Sequence, residues 1–406
     1  MSQTKKIPRT QWPVMWVVFG AGIIAAMHLG KLPPALPEIR ADLQVDLVIG
    51  GWIASMISLT GFALGLIAGT LADKLGQRRV LITGLLVLCV GTTLGAVATT
   101  GSLMLFSRFV EGLGFTAVTV TGVGMITHVT SPRDRKWALG IWSSYLPLGF
   151  SGILVGAAIV LQNYDWQFLW ILSAGLTLTW TLIVVLVTKN WIPQTGEGAE
   201  SRSMISSVIQ CVSVPGTILA AACFGLYAAQ HVSIMAWLPT YLTEEYGYSN
   251  LPAAAIPAIV LLFNAGGTWL SALWMGRGVK IWVLLTIGAI GMGCTQIGIF
   301  SANIPDVMRL VCAMFYGIFG GMIPAAALAS VSIYAPSASH IGTTSGVIVM
   351  GTNTGMLFGP PAIGAVRMAT GNWNDVIWLV TALAILGALC GLASRRTERR
   401  ARPYKT

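Results

Sequence analysis

Twelve stretches of mostly apolar residues follow one another along the chain, separated by short polar segments. A helix needs roughly 20 apolar residues to cross the hydrocarbon core of a bilayer, so each stretch is long enough to span a membrane. The pattern therefore predicts an all-α membrane protein with twelve transmembrane helices. The predicted spans are residues 13–34, 47–71, 79–99, 103–129, 137–161, 166–189, 212–240, 252–275, 279–301, 306–331, 341–366 and 374–394.

The composition supports a lipid environment. Apolar residues make up 55% of the 406 residues and charged residues 9%, whereas a soluble domain carries roughly 25% charged residues. The six cysteines show no metal-ligand spacing. No catalytic, metal or phosphate-binding motif is present, so neither an enzyme nor a cofactor is predicted.

The placement of the basic residues predicts the orientation. Of the 24 lysines and arginines, 19 lie in the N-terminal segment, in every second loop or in the C-terminal tail. Under the positive-inside rule, both termini are then cytoplasmic, and the chain crosses the plasma (inner) membrane many times. The same placement makes the net charge of +10 an orientation and lipid-contact feature, and it argues against nucleic acid as a partner.

The second half of the chain weakly repeats the first. His28 aligns with His231 at an offset of 203, and Arg108 aligns with Arg309 at an offset of 201. Matches in the same order at nearly constant offset predict two pseudo-symmetric six-helix bundles. The predicted units are an N-terminal bundle at 1–190, a cytoplasmic linker at 191–211, and a C-terminal bundle with a basic cytoplasmic tail at 212–406.

Two motifs carry a family resemblance. Residues 69–79 read Gly-Thr-Leu-Ala-Asp-Lys-Leu-Gly-Gln-Arg-Arg and fit G-x-x-x-D-[RK]-x-G-x-[RK]-[RK]. Residues 108–114 read Arg-Phe-Val-Glu-Gly-Leu-Gly and fit R-x-x-[QE]-G-x-G. The chain resembles the major facilitator superfamily of secondary transporters along its whole length. The resemblance implies the major facilitator fold and alternating access between two halves.

The 69–79 loop also has a mechanical interpretation. A carboxylate at the C-terminal end of a helix is unfavourable, since the carbonyl end of the helix dipole is negative. The resemblance implies that Asp73 instead contacts the N-terminus of the eleventh span when the cytoplasmic side is closed. The alternative is a topology anchor that merely ends the second span. The candidate latch residues are Gly69, Asp73, Gly76, Arg78 and Arg79.

Charged residues inside the spans are functional candidates, because a charge in hydrocarbon costs several kcal/mol. Arg108 and Glu111 are three residues apart on the fourth span and share a helix face. Apart from Asp73 at a span end, Glu111 is the one acidic residue inside a span. It is the candidate proton site, with Arg108 as the partner that tunes it or binds an anionic substrate. A structural ion pair is the alternative.

Further candidates lie on the spans that the resemblance places around a central cavity. His28 and His231 occupy equivalent positions and either bind a carboxylate or titrate, or donate a hydrogen bond between helices. Lys31 either attracts anions or extends to the interface. Polar groups within other apolar stretches either contact substrate or hydrogen-bond between helices: Gln230, Trp237, Asn264, Tyr316 and Asn353.

The mainly basic set of candidates favours a small organic anion such as a carboxylate, moved with protons by a monomer. A proton-coupled exporter of drugs or metabolites is the alternative. It is disfavoured because residues 146–152 break the G-P-x-x-G-G pattern of drug antiporters. A third interpretation is a membrane sensor with a transporter fold. Such sensors usually carry an added soluble signalling domain, and none is predicted in this sequence.

Overall fold

The computed structural model describes residues 10–131, 133–189, 204–301, 304–337 and 340–400, except for the side chains of residues 65–74, 136, 204 and 205. Within these residues the protein is helical and contains no strand, so the all-α prediction is confirmed. Eleven segments of the described chain are long and apolar enough to cross a membrane.

The N-terminal part contains the first six predicted spans, two of them interrupted. Its helices are α1 Trp12–Gly30, α2 Leu32–Asp42, α3 Leu47–Leu75, α4 Gln77–Ala96, α5 Gly101–Val129, α6 Arg135–Trp142, α7 Tyr145–Val160 and α8 Trp166–Val187.

The C-terminal part repeats this order of long helices. Its helices are α9 Met204–Val212, α10 Pro215–Tyr246, α11 Asn250–Gly276, α12 Ile281–Phe300, α13 Asp306–Ala329, α14 Val331–Tyr334, α15 Ile341–Thr370 and α16 Val376–Arg400. With its 30 residues, α15 adds a twelfth long helix to the eleven apolar segments. Its six glycines, five threonines and single asparagine make it less apolar than the eleven segments.

The structure differs from two of the predicted spans, and part of the predicted linker is helical. The first span was predicted to end at residue 34, but α2 continues to Asp42, because prolines near a helix start need no backbone donor. The span at 137–161 breaks between α6 and α7, because Pro147 lacks an N–H and its ring would clash with the Ser143 carbonyl of a continuous helix. Part of the predicted linker is the helix α9; residues 190–203 lie outside the described chain.

A hydrogen-bonded cluster joins the start of the chain to the loop before α6. Thr10 Oγ1 donates to Asp134 Oδ2, and Ser131 Oγ donates to the same oxygen at 2.9 Å. These two hydroxyl donors, Thr10 first, hold the pKa of the Asp134 carboxyl below its usual value. The loop is thereby tied to the N-terminal end of α1.

The two six-helix parts meet closely where α3 begins and α15 ends. A methyl group at Gly51 would lie 2.6 Å from Pro361 Cα, and one at Gly364 would lie 2.4 Å from the Leu47 carbonyl oxygen. Only glycine permits this backbone approach. Nearby, Arg40 Nη1 lies 3.4 Å from Glu244 Oε1 and links α2 to α10. These contacts share one face of the protein, opposite the N-terminus.

We expect Gly51→Ala to lower the thermal unfolding temperature of the purified protein in detergent, because the added methyl forces α3 away from the α15 backbone. The cost should be about 1–3 kcal/mol, as for other overpacked sites. Gly156→Ala is the matched control, since no atom lies within 4 Å of a methyl group at that position. Equal unfolding temperatures for the two variants would contradict the tight crossing.

Candidate functional site

A buried ionic cluster forms around the Glu111 carboxylate. Glu111 Oε1 accepts from Lys31 Nζ at 2.7 Å and from Thr92 Oγ1 at 2.5 Å. Glu111 Oε2 accepts from Arg108 Nη1. Lys31, Thr92, Arg108 and Glu111 are all fully buried, at 0% exposure. The structure thus surrounds one carboxylate with two cations and a hydroxyl.

Arg108 also connects three helices. Its Nε donates to the Ile53 carbonyl of α3 at 3.2 Å, and its Nη1 donates to the His28 carbonyl of α1 at 2.9 Å. Its Nη2 finds no hydrogen-bond partner among the described residues. A guanidinium is a rigid fork of donors, so Arg108 keeps one buried donor available beside its ion pair.

Hydrogen bonds at both ring nitrogens fix the orientation of the His28 ring. Thr177 Oγ1 donates to the Ser173 carbonyl at 2.7 Å, so it accepts from His28 Nε2 at 2.9 Å. Lys31 Nζ, which can only donate, lies 3.2 Å from His28 Nδ1. His28 therefore carries a proton on Nε2, and its Nδ1 also lies 2.8 Å from Thr92 Oγ1.

Local packing explains why these groups meet. Lys31 stands at the junction of α1 and α2 and lies 4.5 Å from the Trp170 ring centroid, a cation–π distance. Glu111 approaches α4 closely at Gly91, where a methyl group would lie 2.7 Å from the Glu111 nitrogen. The sequence left open whether Lys31 reaches the interface; the structure buries it on Glu111.

The cluster has an uneven charge balance. With His28 neutral, Lys31 and Arg108 contribute two positive charges and Glu111 one negative charge. A buried charge is stable only when it is paired and hydrogen-bonded. The arrangement can therefore exchange one carboxylate for another, or accept an additional anion at the free Arg108 donor.

A second group lies in the C-terminal part and carries no charged residue. The His231 ring is nearly parallel to the Tyr227 ring, with centroids 5.2 Å apart, and to the Tyr316 ring, with centroids 5.9 Å apart. Asn264 Nδ2 donates to the Tyr227 hydroxyl oxygen at 3.1 Å. We call Tyr227, His231 and Tyr316 the ring stack.

Three other candidates lie apart from both groups in the contacts that they make. Trp237 Nε1 donates to the Pro360 carbonyl at 2.9 Å. Asn353 packs against α3, where a methyl group at Gly61 would lie 2.9 Å from Asn353 Oδ1. Gln230 Nε2 donates to the Leu226 carbonyl at 3.0 Å.

The candidate latch is described only in part. The side chain of Asp73 and the packing around Gly69 lie outside what the structure describes. Gly76 ends α3 with a φ of 88°, a conformation that favours glycine. Arg78 Nε donates to Thr188 Oγ1 at 2.9 Å, within the same six-helix part, and Arg79 is exposed. The latch stays a prediction.

Sequence reasoning missed several residues of these groups. Thr92 and Thr177 are ordinary helix threonines, and no pattern distinguishes them from their neighbours. Trp170, under Lys31, is one of 15 tryptophans. Tyr227 precedes His231 by four residues, and this spacing places the two on one helix face. That spacing was a usable signal.

Comparisons with known proteins agree with this architecture. The family model described as Major Facilitator Superfamily matches residues 18–308. The chain is 22% identical to a protein of Bacillus subtilis (strain 168) named as a candidate niacin/nicotinamide transporter, NiaP, over 97% of this chain and 99% of that protein. It is 22% identical to the riboflavin transporter RibZ of Clostridioides difficile (strain 630) over 53% of this chain, and spans less than half of RibZ, 44%.

A solved structure shares the fold. It is a bacterial homologue of the human lysosomal transporter Spinster, which superposes with a TM-score of 0.85 at 14% identity and covers 100% of both chains. The predicted twelve-helix fold is therefore confirmed.

We expect Glu111→Gln to destabilise the protein strongly, because it leaves Lys31 and Arg108 buried without a counter-charge. Breaking a buried pair in this way costs about 3–5 kcal/mol. Adding Lys31→Met to Glu111→Gln should recover part of the loss. Thermal unfolding in detergent measures both effects. Glu245→Gln, on an exposed acid, is the control, and an equal loss for this variant would contradict the buried pairing.

Proposed function

We propose that this chain, which belongs to the major facilitator superfamily, moves a small organic anion together with a proton by alternating access. The protein is a multi-pass membrane transporter, and a small molecule is its substrate. The finer assignment proposed here is a carboxylate-type metabolite coupled to protons. It rests on the ionic cluster at Glu111.

The observation that carries the proposal is that the Glu111 carboxylate pairs with both buried cations, Lys31 and Arg108. A substrate carboxylate needs the same Lys31 and Arg108 donors that Glu111 holds. When Glu111 is protonated it loses its charge, and the two cations become available to the substrate. When the proton leaves, Glu111 competes for them again. Proton and anion would therefore bind together and leave together, which is symport.

The two-part architecture supplies the access change. Close contacts between the parts lie at the face where α3 begins and α15 ends, and Asn353 extends them to Gly61 midway along α3. With the termini cytoplasmic, as the positive-inside rule predicts, that face is the outer one. Rocking of the two six-helix parts about this contact would expose the cluster to either side of the membrane in turn.

The name of one relative is compatible with this substrate class. The Bacillus subtilis relative is named for niacin, a small carboxylic acid, and for nicotinamide, its neutral amide. The carboxylate of such an acid could pair with Lys31 and Arg108, as the Glu111 carboxylate does in this structure.

A second candidate function is proton-coupled export of a drug or metabolite. The uncharged ring stack favours it, because apolar aromatic surface also suits lipophilic compounds. Resistance profiling of an overexpressing strain separates the two functions. Broad tolerance to lipophilic cations supports export, and an unchanged profile supports the anion transporter.

We expect purified protein in liposomes to accumulate a labelled monocarboxylate when the opposite compartment is more acidic. Glu111→Gln protein that remains folded after purification should lose the dependence on the pH gradient but keep anion counterflow, because the neutral amide imitates a protonated Glu111. Glu245→Gln should behave as wild type. Absence of gradient-driven flux for every monocarboxylate and dicarboxylate tested would overturn the proposal.

A further prediction concerns the latch. Asp73→Asn removes the charge that the N-terminal dipole of α15 would hold, worth about 1–2 kcal/mol in a partly buried setting. We expect a roughly fivefold to thirtyfold shift of the inward/outward balance toward the cytoplasm-open state. Accessibility of single cysteines to a membrane-impermeant reagent measures it. Unchanged accessibility together with unchanged transport would favour the topology anchor.

A further inference from the structure

The ring stack is unusual in its hydrogen bonding. Both His231 ring nitrogens and the Tyr316 hydroxyl are buried and have no hydrogen-bond partner among the described residues. A neutral imidazole always offers one donor and one acceptor, and a phenol offers both. Leaving such a buried group unpaired is destabilising. Two adjacent aromatic side chains therefore present unused donors and acceptors at their ring edges.

The surrounding residues hold this arrangement in place. Asn264 on α11 anchors the Tyr227 hydroxyl. Gly320 lies one turn after Tyr316, and a methyl group there would lie 3.2 Å from both Tyr227 Cε2 and Asn264 Nδ2. The absence of a side chain at Gly320 lets α13 approach α10. The stack is thus built by three helices around polar atoms that the protein itself does not satisfy.

The stack also corresponds in position to the ionic cluster. His231 aligns with His28, and α10 and α13 occupy in the second repeat the places of α1 and α5 in the first. One repeat presents cations at these places, and the other presents aromatic faces with polar edges. A ligand held between the two would need a charged end and a flat, ring-shaped end.

We propose that Tyr227, His231 and Tyr316 bind the planar ring of the substrate, and that the substrate class is an aromatic or heteroaromatic carboxylate. This inference rests on the proposed anion transport. The carboxylate of the substrate pairs with Arg108 and Lys31. The substrate ring packs against the edges of the stacked rings, where its polar atoms pair with His231 and the Tyr316 hydroxyl.

The chemistry separates this class from other acids. Edge-to-face packing of aromatic rings contributes beyond the area that it buries. A saturated ring of the same size buries similar area without that contribution. A ring lacking edge nitrogens leaves the His231 and Tyr316 atoms unpaired, and sites built to hydrogen-bond a ligand discriminate against analogues that cannot pair.

The test uses three monovalent acids as competitors of labelled benzoate counterflow in liposomes: pyrazine-2-carboxylate, benzoate and cyclohexanecarboxylate. We expect inhibition in that order, with benzoate preferred over cyclohexanecarboxylate by about three- to tenfold. Tyr316→Leu should abolish the preference for benzoate. Tyr316→Phe should keep it and lose only the additional preference for pyrazine-2-carboxylate.

Phe315→Leu is the matched control, because Phe315 is the adjacent aromatic residue on α13 and is 48% exposed on the outside of the bundle. Its competition order should equal that of wild type. Equal inhibition by benzoate and cyclohexanecarboxylate in wild type, or an unchanged preference in Tyr316→Leu, overturns the ring site while anion transport stands. If labelled benzoate shows no counterflow and no other carboxylate is moved, the proposed function itself fails.

Discussion

The pairing of Glu111 with Lys31 and Arg108 is the constraint on which the N-terminal part depends. At 0% exposure, each of these charges would be prohibitively costly alone. Their partners come from several helices. Arg108 binds backbone carbonyls of α1 and α3, Glu111 accepts from Thr92 of α4, and Lys31 lies against Trp170 of α8. Helix positions here are set by electrostatics as much as by apolar packing, which gives little directional preference between helices in lipid.

The hydropathy pattern predicted most of the fold, because a bilayer demands continuous apolar helices and tolerates little else. It failed where the chain bends, at α1–α2 and α6–α7. The spacing of Arg108 and Glu111 predicted a shared face. It did not predict that Lys31 would turn inward, because residue counting locates a side chain along a helix and not among its neighbours. Thr92 and Thr177 join the cluster through tertiary packing alone, and no local pattern indicates this.

The two repeats have diverged in chemistry while keeping their architecture. The N-terminal repeat carries the charges at its centre and the acidic residue Asp73 near the end of α3. Gly69 aligns with Gly267 at an offset of 198, which pairs Asp73 with Ser271 in the C-terminal repeat. The Ser271 hydroxyl donates to the Met322 carbonyl at 3.1 Å within its own repeat. Its core group is the uncharged ring stack. Under the proposed mechanism, this division would let one repeat respond to protonation and the other to the shape of the ligand.

The close backbone contact of α3 with α15 at Gly51 and Gly364 can serve as a pivot point near one face of the membrane. Gly51 lies close to the start of α3, and the helix continues for about 33 Å to the neighbourhood of Asp73, at 1.5 Å per residue. A tilt of about 10° at the crossing would displace that far end by about 6 Å over such an arm. The backbone contact at Gly51 would therefore act as the pivot of α3. A small change of tilt at this contact would produce a large displacement at the other membrane face.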